Sequence, residues 1–552
     1  MKKPYLLILI LALGFFLRLS GINFGLPSKN LALTTYNPDE PLTIYSLEAM
    51  NPSKLDFSPK RAFLWGGFSV YIVGFFLKLA QFLKIVNPVS RDFLMANLGE
   101  VDKLYIIGRL ISIFFGTANI LILYLIVKKA YNRKAGLISA GLLSVAAAHV
   151  ISSFYVRPDV IMLFFALSGI LVSVNILSGA ARAKNYALAG LLIGIGTATK
   201  LSAGIFGIVP VIAHFLSGEG KLKDKKLLIL IASGFAGFLL ACPYSVLDFP
   251  TWWYYFKMNF AFAQGTTHPV ELALHGPGRI SYLTYYLPSA MGILLVISGV
   301  AGFIFMLART LKQKPFSLKS SDGFFLLSGT IIYMVISGTK NQATWYTLPV
   351  IPFFLIFTGR LTESLISFSK GRLSKLLAWA FLVIIFCQAG IYSMAHLRLY
   401  TSVNTREMAS QWIDTNIPKN KTIAIARSYF WTPGILRQYK PPYKLLMGGD
   451  IQSALSDAVL GLDKIAPRAD YIVLTEFEYR DYIVPGISAK LFPGQEKTIA
   501  GIMLNDKKYE KIASFNKEAE FLGFNFRKNF LPHDWLIPNP EILIFKKKAL
   551  NS

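Results

Sequence analysis

The sequence predicts a polytopic α-helical membrane protein of about eleven spans followed by a C-terminal extracytoplasmic α/β domain, on three observations. Of its 552 residues 54% are hydrophobic and only 16% charged, against about 25% charged in an ordinary soluble domain. The apolar residues are gathered into long runs, as membrane spans require. After about residue 396 those runs stop and the composition becomes that of a soluble domain. Lys plus Arg outnumber Asp plus Glu by 57 to 30, a net +27. In a soluble chain that excess would point to nucleic acid; here it sits in short loops between apolar runs, where the positive-inside rule puts it, and no nucleic-acid partner is expected. The two cysteines, Cys242 and Cys387, lie in apolar stretches and offer neither a disulfide framework nor a cysteine metal site.

The N-terminus, MKKPYLLILILALGFFLRLSG, joins basic residues to an apolar run with no small-x-small cleavage site after it, and is read as a first span rather than a signal peptide. Further apolar runs occupy 104–127, 135–150, 160–177, 186–216, 227–247, 283–308, 323–338, 346–358 and 376–395. The basic loops KKAYNRK at 128–134, ARAK at 181–184, KLKDKK at 221–226, RTLKQK at 309–314 and KGRLSK at 370–375 are assigned to the cytoplasm with Lys2 and Lys3.

Parity then decides two elements. Two spans already separate the N-terminus from the 128–134 loop, so the apolar stretch 63–86, interrupted by Lys78 and Lys84, is expected to lie as an amphipathic helix at the outer interface. The 186–216 run lies between two basic loops, so it must cross and return, with TATKLSAG and its Lys200 as the outer turn. The C-terminus is thereby placed outside. In the C-terminal region an amphipathic helix at 406–416, carrying Met408 and Trp412 on one face, precedes strand patterns at 422–426, 470–474, 509–515 and 541–547. It holds no phosphate loop, metal-ligand spacing or nucleophile motif, and is read as a docking or acceptor-binding domain.

The outer face carries two acidic sites. In YNPDEP, Asp39 and Glu40 suit a helix start capped by Asn37 with Pro38 in the first turn. In FYVRPDVIMLFF, Arg157 and Asp159 suit an interfacial helix cap. Two carboxylate sites on one face, each beside a span, favour function over capping, because carboxylates near hydrocarbon are costly unless paired or solvated. The cations of the short outer loops are few and isolated: Arg157, Lys200, Lys257, Arg279 and Lys340, with Arg18 and Arg109 near the outer ends of their spans. Snorkelling explains any one of them; convergence of several would suit a lipid phosphate.

The order of these features resembles the GT-C glycosyltransferases of the protein O-mannosyltransferase and lipid A aminoarabinose-transferase type, glycosyltransferase family 39-like. The likeness rests on Asp39 and Glu40 in the first outer loop, Asp159 in RPD, GIGTATK ending at Lys200, and SGTKNQATWYTLPVIPF at 337–353. It covers about residues 1–395, a GT-C transmembrane catalytic domain whose first outer loop is about 23–103; residues 396–552, the soluble extracytoplasmic domain, resemble more loosely those appended to bacterial relatives.

The resemblance implies an enzyme of a bacterial or archaeal plasma membrane that moves a sugar from a polyprenyl-phosphate-linked donor to an acceptor at the outer face, inverting the anomeric centre. Asp39 would be the general base. Glu40 and Asp159 would orient the acceptor or hold the base, and Arg157 would pair with a carboxylate. Lys200, Arg279 and Lys340 would offset the charge of the departing lipid phosphate, with Tyr346 also at the substrate. No nucleotide is needed. A divalent metal stays open as cofactor, His268 and His275 being weak candidates because a spacing of seven is not a ligand signature. The protein O-mannosyltransferases insert their extracellular domain between spans, whereas here it is C-terminal, so the acceptor stays open among lipid A, wall polymer, another glycolipid and protein. The rivals are a transporter or flippase, which should show charged mid-membrane residues and paired broken helices, and a ligase of whole lipid-linked glycans.

Overall fold

The computed structural model describes residues 5–548 apart from 88–89, 219, 266–267, 277, 313–317, 439–440, 451, 506 and 527–530. Lys2, Lys3 and the end of the 309–314 basic loop lie outside the described residues.

Among the described residues five helical segments are long and apolar enough to cross a membrane: Leu98–Ala130, Asp159–Leu177, Ile293–Leu311, Ile351–Phe368 and Arg372–Asn416. The last breaks at Ser402 into Arg372–Thr401 and Thr405–Asn416. Shorter apolar helices are Tyr5–Leu19, Phe68–Phe82, Leu201–Leu216 and Ser321–Ile336. The run expected to cross and return does turn at Lys200: helix Ala183–Thr199 ends there, Lys200 is extended, and a 3-10 turn Leu201–Gly207 leads into Ile208–Leu216. Helix Ala183–Thr199 packs closely on Lys225–Ala241, since a Cβ on Gly190 or Gly194 would meet the carbonyl oxygens of Leu230 or Gly234 at 2.2 and 2.1 Å. Small residues four apart let two backbones approach in this way.

Two runs read as single spans are broken. The 135–150 run divides into Arg133–Ser144 and Ala147–Ser152. The freed carbonyls of Leu143 and Ser144 accept from the buried guanidinium of Arg18 at 3.2 Å each, and Arg18 also meets His149 Nδ1 at 2.7 Å. A cation at a helix C-terminus satisfies acceptors the helix leaves orphaned. Arg18 is therefore committed to the break and does not join a phosphate site. The 283–308 run breaks at Gly292, whose φ of +87° ends Leu287–Met291 and starts Ile293–Leu311.

Some of the loops assigned to one side meet one another. At one end Asp322 lies between Arg309 and Arg360, at 3.5 and 3.6 Å, and Ser321 donates to Ala130 O. At the other, the first long loop bridges Gly66 to Lys200, and Lys60 pairs with Asp248. The expected interfacial helix is Phe68–Phe82; it buries Ser69, Val70, Val73 and Ala80 and leaves Phe75, Phe76, Leu79 and Phe82 exposed. An exposed apolar face of this kind suits acyl chains rather than water.

The C-terminal region is a five-stranded mixed sheet of order β2-β1-β3-β7-β4, with a separate hairpin of β5 and β6. Its strands are β1 Thr422–Ile425, β2 Lys444–Met447, β3 Tyr471–Thr475, β4 Tyr509–Phe515, β5 Ala519–Phe521, β6 Phe524–Phe526 and β7 Ile542–Lys547. The strand patterns read from sequence fall on β1, β3, β4 and β7; β2 was not anticipated, being a short segment just after Pro-Pro. Side chains alternate across the sheet. Ile423, Ile425, Val473 and Ile544 face helix Thr405–Asn416, whereas Ala424, Ile472, Leu474 and Phe545 face Leu455–Ile465 and Pro493–Met503. The region is fastened to the first loop by Arg437, which donates to Asn30 Oδ1 at 2.7 Å and Thr34 Oγ1 at 2.8 Å, and by Arg406, stacked 4.4 Å from the Tyr36 ring.

Candidate functional site

The YNPDEP turn sends its two acids in opposite directions. Asn37 Oδ1 accepts from the Asp39 amide at 2.9 Å, an Asx turn that sets the chain before helix Glu40–Glu48 begins, with Pro41 in its first turn. The capping start read from sequence is thus shifted by two residues, and the Asp39 side chain makes no capping bond.

Glu40 turns inward. Its carboxylate is fully buried and receives Arg109 Nε at 2.9 Å and Nη2 at 2.7 Å, the Val156 amide at 2.9 Å and Thr35 Oγ1 at 2.6 Å. Arg109 Nη1 donates to the carbonyls of Ile22 and Phe24 at 2.7 and 2.8 Å. Both carboxylate oxygens of Glu40 accept two bonds each, and all three guanidinium nitrogens of Arg109 donate within the protein. Glu40 is consequently bound within the protein, which leaves of its two expected roles that of holding the turn that carries Asp39, and Arg109, expected among the outer cations, is not free for a phosphate.

Asp39 remains half-exposed, its side chain 36% accessible, with Oδ2 3.4 Å from Arg157 Nη2. The same guanidinium places Nε 3.2 Å from Asp159 Oδ2, and Asp159 Oδ1 accepts from Lys200 Nζ at 2.7 Å. Asp159 begins helix Asp159–Leu177, where the positive end of the helix favours its charge. Burial works against the charge of Arg157, but Asp159 and Asp39 beside it more than offset that and hold its pKa above the ordinary value. Trp345 lies 4.4 Å from the Arg157 guanidinium, and Tyr346 5.3 Å from Lys200 Nζ, so an aromatic wall backs both cations.

Lys200 is held by backbone as well as by charge. Its turn pairs with Gly66, and Leu201 N donates to Trp65 O at 2.8 Å. A Cβ on Gly66 would stand 2.2 Å from Ala198 O, so only glycine permits this approach. The first loop, the Arg157 segment and the Lys200 turn are brought together in this way.

Of the residues singled out in the sequence, Asp39, Arg157, Asp159, Lys200 and Tyr346 form this one network. Arg279 and Lys340 are exposed and stand outside it; Lys340 lines a small cavity beside His268 and Glu271 instead. His268 and His275 do not converge, because His275 stacks on Tyr285 at 3.6 Å whereas His268 meets His533. Thr344 and Trp345 were marked only as part of the 337–353 stretch, and Asp534 carried no sequence signal. Asp534, whose carboxyl burial pushes up to about 6, accepts from Thr344 N at 2.9 Å and Oγ1 at 3.0 Å and so braces the aromatic wall. That contact joins residues 190 apart in sequence, which no local pattern reveals.

A divalent metal does not fit between Asp39 and Asp159. Arg157 already lies against both carboxylates and Lys200 takes the remaining oxygen of Asp159, so cations of the chain itself occupy the positions a metal would need.

The helical layout and the sheet appended to it are similar to the GT-C fold of membrane glycosyltransferases. A family model described as dolichyl-phosphate-mannose-protein mannosyltransferase matches residues 94–244. The oligosaccharyltransferase of Archaeoglobus fulgidus, in the apo form, superimposes with a TM-score of 0.51 at 14% identity over 97% of this chain and 76% of that one. The same archaeal enzyme, AglB, in complex with an inhibitory peptide and a dolichol-phosphate, gives 0.50 at 13% over 96% and 74%. ArnT from Cupriavidus metallidurans bound to undecaprenyl phosphate gives 0.50 at 13% over 87% and 94%. No curated protein matches the sequence.

Proposed function

We propose that this protein transfers a sugar from a polyprenyl-phosphate-linked donor to an acceptor at the outer face of the plasma membrane, with inversion and with Asp39 as general base. The observation that carries the reading is the contrast between adjacent acids: Glu40 is sealed and saturated, while Asp39 presents an accessible carboxylate beside Arg157 and, through Asp159, Lys200. Asp39 takes the proton of the acceptor hydroxyl or amine as it attacks the anomeric carbon, a role worth about 10²- to 10⁴-fold. The bond to the lipid phosphate breaks in the same step. Lys200, 12% exposed, turns from Asp159 towards the departing phosphate, and Arg157 stays beside the Asp39 carboxylate. Arg279 and Lys340 have no part in this scheme.

An apolar groove supports the donor class. It has a volume of about 650 Å³ and is lined by Ile44 and Leu47 of helix Glu40–Glu48, Gly74 and Leu77 of Phe68–Phe82, and Val101 and Leu104 of Leu98–Ala130. At 1.5 Å per residue, Ile44 lies only about 7 Å along its helix from Asp39. A polyprenyl chain laid there would bring its phosphate to the acidic turn. Neighbours of the same fold were solved with undecaprenyl phosphate and with dolichol-phosphate. The C-terminal region braces the Trp345 wall through Asp534, which supports a part for it in presenting the acceptor.

The test is release of free polyprenyl phosphate from a panel of polyprenyl-phosphate sugars, with membrane extract as acceptor, by wild type and Asp39→Asn. Release that falls at least about a hundredfold in the variant supports the reading. Equal turnover removes Asp39 from the chemistry, and donor-dependent flipping in liposomes without release moves the protein to the transporters.

A further inference from the structure

On the C-terminal side of the Trp345 wall three segments remote in sequence bring metal-ligating side chains to one point. His268 immediately precedes helix Pro269–His275, Asp481 follows helix Glu476–Tyr479, and His533 opens the turn His533–Leu536. The ligating atoms of His268, Asp481 and His533 all lie within 4.8 Å of one another. The two imidazole rings have centroids 4.6 Å apart, and His533 Nδ1 is 3.8 Å from both Asp481 Oδ1 and Glu271 Oε1.

The packing alone does not explain this cluster. His533 is only 8% exposed, yet its Nδ1 is buried without a hydrogen-bond partner. A buried ring nitrogen left unmatched is costly unless something meets it. Glu271 is 3% exposed; Oε1 accepts the His533 amide at 2.6 Å and Oε2 accepts from Tyr286 at 3.0 Å, which fixes the carboxylate beside the rings. Arg480 stands on the far side, its Nη1 3.9 Å from Glu271 Oε1 and its Nη2 donating to Leu531 O, so it adds one positive charge against two carboxylates.

We propose that His268, Asp481 and His533 bind a zinc-class divalent cation, with Glu271 or water as the fourth ligand, and that this ion clamps the outer loop of residues 248–282 to the C-terminal region. Two imidazole nitrogens with carboxylate oxygen suit a borderline first-row ion rather than calcium or magnesium. Bonds of about 2.0–2.2 Å in tetrahedral array need ligand atoms roughly 3.5 Å apart, which the present spacing reaches by small side-chain rotations. The position of His533 gives the clamp a consequence. Its neighbour Asp534 holds Thr344 through two hydrogen bonds, and Trp345 follows, lying over Arg157. Fixing His533 therefore fixes the wall behind the Arg157 guanidinium. The metal acts as a positioning element, separate from the Asp39 carboxylate, and its binding does not depend on the transfer reaction proposed above.

The test uses the full-length, tag-free protein in detergent, stripped with chelator and then titrated with zinc alone. Wild type should take up about one zinc per chain and gain thermal stability on doing so. His268→Ala and Asp481→Asn should bind at least about tenfold more weakly, while His275→Ala, whose ring stacks on Tyr285, should bind as wild type does. Cobalt substitution of wild type gives a readout that needs no variant, an intense visible spectrum of tetrahedral type. Uptake of no zinc by wild type, unaltered affinity in His268→Ala, or a weak octahedral cobalt spectrum overturns the proposal.

Discussion

Arg109 grips Glu40 through two parallel bonds, Nε to Oε1 at 2.9 Å and Nη2 to Oε2 at 2.7 Å, with neither side chain reached by solvent. One residue earlier, Asp39 is half-exposed and pairs with Arg157. Adjacent acids of the same charge thus have separate tasks, and the first prediction separates them. Glu40→Ala strands Arg109 as an uncompensated buried cation and should cost about 3–5 kcal/mol of stability. Asp39→Asn should leave thermal unfolding nearly unchanged while turnover drops at least about a hundredfold. Denaturation of both variants in one detergent, beside polyprenyl phosphate release, checks the pair; similar unfolding curves for the two would refute the division.

Lys200 is fixed by the Asp159 carboxylate on one side and by the Gly66 approach on the other. Lys200→Ala should lower turnover by about 10²- to 10³-fold, the range for losing one preorganised charge, with a smaller loss for Lys200→Arg. Gly66→Ala should disturb the same turn by sterics, lowering stability by about 1–3 kcal/mol and turnover with it. Turnover in Gly66→Ala equal to wild type would mean that the Lys200 turn need not be held.

The apolar groove predicts a selective effect on donor binding. Leu77→Trp should fill part of the 650 Å³ space and raise KM for long-chain donors with little change in kcat. Short-chain donors should be affected less. A fall in kcat alone would argue that the lipid chain lies elsewhere.

Glu478 predicts a pH dependence in the C-terminal region. Its carboxylate is buried against Trp431 Nε1, Thr475 N and Thr475 Oγ1, and burial pushes its pKa up to about 7 despite those donors. The folded state then holds a proton that the unfolded state has released above its own pKa, so stability falls as pH rises from about 4.5 to about 7 and is level beyond. The slope is at most about 1.4 kcal/mol per pH unit for one proton. Glu478→Gln should flatten that segment of the stability profile. An unchanged profile in the variant would place the proton on another group.

Sidedness is tested by cysteine labelling in a Cys387→Ser background, since Cys242 is buried. Lys84→Cys and Lys257→Cys should react with an impermeant maleimide from outside, and Lys129→Cys only after permeabilisation. Cytoplasmic labelling of Lys84→Cys would overturn the interfacial assignment of helix Phe68–Phe82 and the groove beside it.

Much of the architecture follows from patterns that are local in the sequence. Apolar runs mark helices because hydrocarbon forces each segment to satisfy its own backbone, and assigning the basic loops to one side makes parity require the turn found at Lys200. Strands β1, β3, β4 and β7 were legible from their β-branched and aromatic residues, whereas β2, KLLM behind Pro-Pro, has none. The acidic turn and the RPD segment marked themselves as unusual because charge beside hydrocarbon needs a reason.

What each charge does was decided by tertiary structure. The sequence treats Asp39 and Glu40 alike, and treats Arg18, Arg109, Arg157, Lys200, Arg279 and Lys340 as one set of outer cations. Folding divides them: Arg18 closes a helix break, Arg109 neutralises Glu40, Arg157 and Lys200 pair with Asp39 and Asp159, and Arg279 and Lys340 stay exposed. His268 likewise leaves His275 for a partner 265 residues away, His533. The physical reason is common to the buried ones: a buried side chain meets whatever three-dimensional packing brings beside it, and that neighbour lies on another element whose distance along the chain carries no information about its distance in space.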